Sequence, residues 1–304
     1  MTDSPKAEIP GIHHITAIAS DPQANIDFYT RLLGLRLVKR TVNFDDPETY
    51  HLYYGDYNGT PGTILTFFPW PGARRGRQGN GQVVTTSFAI PRNAIGAWVE
   101  KLSKADVNFE GPADRFGEEV LTFTDPDGLG LEVVGSLDGD SQAIGRIHSA
   151  TISEEGYERT ARLLTETMGF QLAGQEGNRF RFIAGAGKPS SIVDVICRPD
   201  ATRGLVSAGT VHHIAWRTPD EEQQLRWRGK LVALDYNVSP VMDRNYFHSI
   251  YFREPGGVLF EIATDPPGFT VDEAIESLGK ELKLPSMYET MRDRIERVLP
   301  PIQL

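Results

Sequence analysis

The stretch GIHHITAIA, residues 11–19, is a compact run of β-branched and apolar residues and reads as a strand. It is followed by DPQANIDFYTRLLG, in which Ile26, Tyr29, Leu32 and Leu33 fall on one helical face. Asp21 is placed to cap that helix, Pro22 suits its first position, and Gly34 stops it. Three further β-rich runs follow: LRLVKRTVNF, YHLYYGD and GTILTFFP. Asp-Asp-Pro and Asn-Gly-Thr-Pro-Gly turn clusters separate them. The pattern predicts one βαβββ unit.

The same order of periods recurs three more times. A second unit runs from QVVTTSFAIP through the helical stretch AIGAWVEKLSKA to EEVLTFTDP and GLGLEVVG. A third runs from GRIHSATIS through YERTARLLTETMG to FRFIAG and SIVDVIC. The fourth runs from TVHHIAWRT through EEQQLRWRGKLVAL to SIYFREP and GGVLFEIAT. Units two and four also share a tail of fixed spacing, Asp125-Pro126-x-Gly128-x-x-x-Glu132 beside Glu254-Pro255-x-Gly257-x-x-x-Glu261. Each Pro-Gly turn feeds a last strand that carries the glutamate. SLDGDSQAIG, residues 136–145, reads as the linker between two halves, and the residues after 265 form a charged helical tail that repeats nothing. The expected fold class is α+β, with four βαβββ modules in two tandem domains, 1–140 and 141–304, the second including the tail.

Composition narrows the function classes. A chain of 304 residues with 39% hydrophobic and 24% charged positions is globular and turn-rich. The formal net charge of −10 argues against nucleic acid and anionic membrane as partners. Arg74, Arg75 and Arg77 read as a solvated loop. Cys197 is the single cysteine, so neither an internal disulfide nor a thiolate metal cage can form. MTDSPKAEIP lacks the apolar core of a signal segment and no stretch is long enough to span a bilayer, so a cytoplasmic location is expected.

The chemistry lies in two doublets, His13-His14 and His212-His213, which use four of the seven histidines, and in Glu261. A glutamate inside the apolar strand VLFEIA needs compensation for burial, and a metal ion supplies it. Strand alternation puts Glu261 on one face with Leu259 and Ala263. The first and last strands of one unit thus bring a histidine and a glutamate into one cleft. Two imidazoles and one carboxylate with open coordination positions suit non-haem Fe(II). His213 and Glu261 supply two ligands. His14 and His148 both open equivalent strands, and spacing does not choose between them. Glu132, whose unit opens on a strand without histidine, reads as a relic carboxylate, hydrogen-bonded or partly exposed.

These residues resemble the vicinal-oxygen-chelate superfamily of glyoxalases, bleomycin-resistance proteins and extradiol dioxygenases, and within it the hydroquinone ring-cleaving dioxygenases. The stretches that carry the resemblance are HHITAIASDPQANIDFY, LGLRLVKRTVNFDD, YHLYYGDYNGTPGTILTFFP, GTVHHIAW and DRNYFHSIYFREPGGVLFEIATDPPGF. It implies mixed curved sheets around a metal cleft, with Fe(II) held by His14, His213 and Glu261, so that units one and four meet at the metal. It also implies roles for His13, Thr16, His212, Arg244 and Tyr251. His212 or His13 would act as base, Tyr251 as proton donor, and Arg244 would hold an anionic phenolate. The implied substrates are a small aromatic diol and O₂, and a homo-oligomer is compatible with the chain. Phe180, Trp216 and Phe252 are candidates to wall the ring pocket, with the core as the commoner place for such residues. Thr66 stands where glyoxalases usually add a second carboxylate, which favours O₂ chemistry. A cleft between units three and four would instead offer Asp194 and favour a lyase or isomerase. A metal-free binding protein of the bleomycin-resistance type is the third reading.

Overall fold

The computed structural model describes residues 9–185 and 192–304. Most of the N-terminal stretch MTDSPKAEIP, and Ser191 of SIVDVIC, lie outside the described residues. The first module comprises β1 (Ile12–Ala19), α1 (Pro22–Ile26), β2 (Arg36–Asn43), β3 (Asp46–Gly55) and β4 (Ile64–Pro69). The second comprises β5 (Gln82–Pro91), α2 (Ile95–Lys104), β6 (Phe109–Arg115), β7 (Glu118–Thr124) and β8 (Gly130–Leu137). The third has β9 (Arg146–Glu154), α3 (Glu158–Arg162), β10 (Phe170–Glu176), β11 (Arg179–Ala184) and β12 (Ile192–Cys197). The fourth has β13 (Thr210–Thr218), α4 (Glu221–Ala233), β14 (Met242–Asp243), β15 (Phe247–Arg253) and β16 (Leu259–Pro267).

Local chemistry sets these elements. Asp21 accepts from the Ala24 amide at 2.8 Å and Pro22 opens α1. The helix then widens into a π-helical turn over Asp27–Leu32, which leaves Leu32 half-buried while Ile26, Tyr29 and Leu33 are buried. In the two shared turns Gly128 and Gly257 adopt φ of 89° and 103°, the left-handed region that favours glycine. After the fourth module only α5 (Arg292–Val298) is α-helical; most of the tail is irregular or in short 3₁₀ turns.

Each module has its strands in the spatial order first, fourth, third, second, with the first and fourth parallel. Modules then pair through their first strands. Antiparallel β1 and β13 join modules one and four into one eight-stranded sheet, and antiparallel β5 and β9 join modules two and three into the other. Each sheet therefore takes one module from each half of the chain. The segments between modules run beside each other, with Arg75 bridged to Ala208 and Arg77 to Leu205. On the first strand Ile15, Ala17 and Ala19 face the hydrophobic core, so His14 and Thr16 project from the other, concave face; a register shift between Ile12 and His14 lets Ile12 join the core as well.

Candidate metal centre

The ladder β1/β13 sets Thr16 against His213 and His14 against Ala215, and the parallel ladder β13/β16 sets Ala215 against Glu261. Side chains from three adjacent strands consequently converge on the concave face. His14 Nε2 and His213 Nε2 are 3.4 Å apart, and lie 3.5 and 2.9 Å from Glu261 Oε2. All three residues are buried, Glu261 completely. Among the described residues these three form a cluster with metal-ligand geometry.

The partners of these groups leave their inward atoms free. Within the doublets Nδ1 meets Nδ1, at 2.9 Å for His13–His14 and 2.7 Å for His212–His213. An imidazole that offers its Nε2 lone pair carries its proton on Nδ1, so the second histidine of each doublet donates to the first. Ser249 Oγ donates to Glu261 Oε1. Glu261 Oε2 is buried with no hydrogen-bond partner, although two imidazole nitrogens face it. A buried carboxylate oxygen in that position fits a divalent cation, and the donor set of two imidazoles and one carboxylate matches it. Burial works to raise the Glu261 carboxyl, but His14 and His213 hold it well below the usual range. Burial is also the main cause lowering His213, against Glu261.

The cluster forms one wall of a cavity of about 540 Å³. Phe44, Phe68, Trp70 and Phe247 give it an aromatic lining, and Arg244, Tyr251 and His212 give it polar edges. Arg244 reaches Tyr251 OH at 3.3 Å and forks onto Asp45 at 3.2 and 2.9 Å, so it spans modules four and one across the cavity. Burial, with Glu261 nearby, raises the Tyr251 phenol, which is therefore a proton donor at neutral pH. His13 and His212 were expected to titrate near neutrality. Burial lowers both, His212 to about 3, so each ring is neutral at pH 7. His13 lies behind His14 and does not line the cavity, whereas His212 does.

The structure places the other candidates elsewhere. The ladder β1/β4 opens with His14 against Ile64, and β9/β12 opens with Ser149 against Ile192. Ser149 thus corresponds to His14, and His148 to His13. His148 sits on the other sheet, within 3.2 Å of Glu118. That sheet's cleft is filled by charge pairs. Asp194 takes Arg179 at 3.0 Å and both Nε and Nη2 of Arg181, and Glu132 takes Arg115 at 2.8 Å and Ser87 at 2.6 Å. Glu132 is accordingly hydrogen-bonded and buried, and Asp194 has no part in the histidine cluster. Of the two readings for Phe180, Trp216 and Phe252 the core one holds: all three are core residues and none lines the cavity. Phe180 stacks on Tyr157, while Trp216 and Phe252 both pack on Phe260. Alternation explains two of them: Trp216 and Phe252 point to the opposite face from His213 and Tyr251. Sequence reading missed Ser249 and His51, which share the concave face.

The glyoxalase/bleomycin resistance protein/dioxygenase superfamily model matches residues 11–133 and 146–262. The chain belongs to this superfamily. Among its members, the Bacillus subtilis protein named "Putative ring-cleaving dioxygenase MhqO" is 49% identical over 97% of both chains. The chlorohydroquinone/hydroquinone 1,2-dioxygenase of Sphingobium indicum is 34% identical over 96% of both. A solved structure named as a putative dioxygenase from Bacillus subtilis superposes with a TM-score of 0.93 at 48% identity, covering 98% of each chain. Glyoxalase I of Zea mays shares the superfamily fold, with a TM-score of 0.63 at 14% identity over 84% of this chain and 92% of that one. No helix among the described residues is long and apolar enough to cross a membrane.

Proposed function

We propose that the protein is an Fe(II)-dependent ring-cleaving dioxygenase that opens a hydroquinone-type aromatic diol with O₂. The observation that carries the reading is the convergence of His14, His213 and Glu261 on an aromatic-lined cavity with cationic and phenolic groups at its edge. The size of that cavity is in the range of small-molecule sites. The position of Thr66, which bonds Thr16 rather than offering a carboxylate, supports O₂ chemistry over glyoxalase chemistry. The Sphingobium indicum relative supports hydroquinones as the substrate class.

Fe(II) held by His14, His213 and Glu261 supplies the one-electron chemistry that lets O₂ react with an aromatic diol. The chain does the rest. Phe44, Phe68 and Trp70 sandwich the ring and exclude water. Arg244, permanently cationic, draws the ionised hydroxyl and stabilises negative charge as the ring opens. Tyr251 holds a proton for an oxygen that develops charge. His212 is neutral, and its Nδ1 accepts from His213, so its remaining ring proton sits on Nε2. It therefore acts as a donor at the cavity wall rather than as a base. Both oxygen atoms of O₂ end in the ring-opened acid.

The test is anaerobic reconstitution with Fe(II), followed by O₂ uptake with hydroquinone, catechol and chlorinated hydroquinones. Stoichiometric uptake with hydroquinones is expected. Turnover of catechol alone shifts the reading to an ordinary extradiol enzyme, and zinc-dependent activity without O₂ uptake shifts it to a lyase. Arg244→Lys keeps charge but loses the planar fork, and is expected to lower kcat/KM roughly ten- to a hundredfold.

A further inference from the structure

His51 belongs to neither doublet, yet it lies on β3 at the cavity wall with both ring nitrogens engaged. Its Nε2 is 2.8 Å from Thr66 Oγ1, and its Nδ1 is 2.8 Å from the Tyr53 hydroxyl. Thr66 Oγ1 in turn lies 3.0 Å from Thr16 Oγ1. Two proton orders satisfy these contacts, one running from Tyr53 to Thr16 and one the other way. In the first, Thr66 gives its one hydroxyl proton to Thr16, and the proton between His51 and Thr66 comes from His51 Nε2. A neutral imidazole protonated on Nε2 accepts on Nδ1, and Tyr53 is the donor there. Every link of that order points inward. The inner end, Thr16, stands across the β1/β13 ladder from His213 and on the same strand face as His14.

We propose that His51 is a positioning residue: locked as the Nε2–H tautomer between Tyr53 and Thr66, it fixes the buried Thr16 hydroxyl on the strand face that carries His14, opposite His213. This role rests on the dioxygenase reading given above. Burial lowers the imidazole of His51 and raises the phenol of Tyr53, so neither imidazolium nor tyrosinate forms near neutrality. The chain therefore holds a hydroxyl in place and moves no net charge. Arg244 and Tyr251 of module four line the cavity itself, while Thr16 of module one is buried behind its wall.

Two measurements test the role. Nitrogen NMR of histidine-labelled, metal-free protein reads the tautomer without activity. His51 is expected as Nε2–H, and Tyr53→Phe is expected to release that lock so that both tautomers populate. In the iron-loaded enzyme His51→Phe and Thr66→Val are each expected to lower kcat/KM about tenfold at full metal content, the scale of one hydrogen bond. Because both act through Thr16, the double variant should lose no more than either single one. His51→Gln restores a donor to Thr66 and should stay within about threefold of wild type. Additive losses, or a His51→Gln loss equal to that of His51→Phe, overturn the role. An Nδ1–H tautomer in an active enzyme overturns it alone. Absence of hydroquinone-dependent O₂ uptake in the wild type overturns the functional reading and this role with it.

Discussion

At the scale of single residues the two doublets divide their work by position. The second histidine of each turns Nε2 to the cluster, and its Nδ1 meets Nδ1 of the first. Glu261 is oriented in the same way by Ser249. Removing that hydroxyl by Ser249→Ala frees Oε1, and metal titration is expected to show affinity reduced roughly ten- to a hundredfold. His14→Ala should lose the metal altogether, while His148→Ala should retain it; metal content measured after dialysis checks both. The doublets and the glutamate were legible because they stand out from the apolar runs around them. His51 and Ser249 were not, because a single polar residue on a strand has meaning only once the register names what stands opposite. The rings that do line the cavity were not legible for a related reason: which rings face it depends on parity counted from the ligands, not on ring size.

At the scale of elements, the second strand of every module is an edge of its sheet, and this decided what the sequence revealed. β6, FEGPADR, and β10, FQLAGQE, are largely exposed, so no buried face imprinted an alternating pattern on them. Strands with a core face were legible, as were α2 and α4 to within a residue or two. The edge at β2 is covered instead by the tail, where Leu282 bridges to Arg40 and the Lys283 amide bonds the Arg40 carbonyl at 2.9 Å. Below that edge Lys39, wholly buried, pairs with Asp272 and Glu273 from the tail and lies 4.8 Å over the Tyr246 ring. Replacing it by Lys39→Met leaves the buried Glu273 carboxylate without its cation, while Asp272, partly exposed, keeps the Tyr246 hydroxyl. A loss of about 3–5 kcal/mol is expected in denaturant titration, together with faster proteolysis after residue 270.

At the scale of the whole molecule, pairing between modules was not legible in periodicity. Strand patterns state which face is buried but not which distant strand lies alongside, and only the family resemblance joined modules one and four. Contacts between the sheets introduce a pH dependence. Glu154 ends β9 of one sheet, and Glu254 sits in the turn before β16 of the other. The Thr160 hydroxyl touches both, at 2.9 and 2.6 Å. A hydroxyl has one proton to give, so one of the two carboxyls carries its own. Burial and Glu254 push Glu154 up to about 8, and burial pushes Asp125 in the matching turn up to about 6. Folded-state values above the unfolded ones mean that the folded chain retains protons the unfolded chain releases. The stability they contribute is complete below about pH 4 and declines as pH rises toward about 8. Glu154→Gln, neutral at every pH, should flatten thermal stability over this window and exceed wild type at pH 8. Parallel melting profiles of the two proteins would refute the assignment.

The β1/β13 seam fixes the order of events during synthesis. His14 leaves the ribosome early, but Ala215 opposite it on β13 follows well past the middle of the chain and Glu261 later still. A nascent or truncated polypeptide that ends before β16 holds at most two of the three clustered residues, His14 and His213. The cluster of two imidazoles and one carboxylate is thereby completed only late in synthesis.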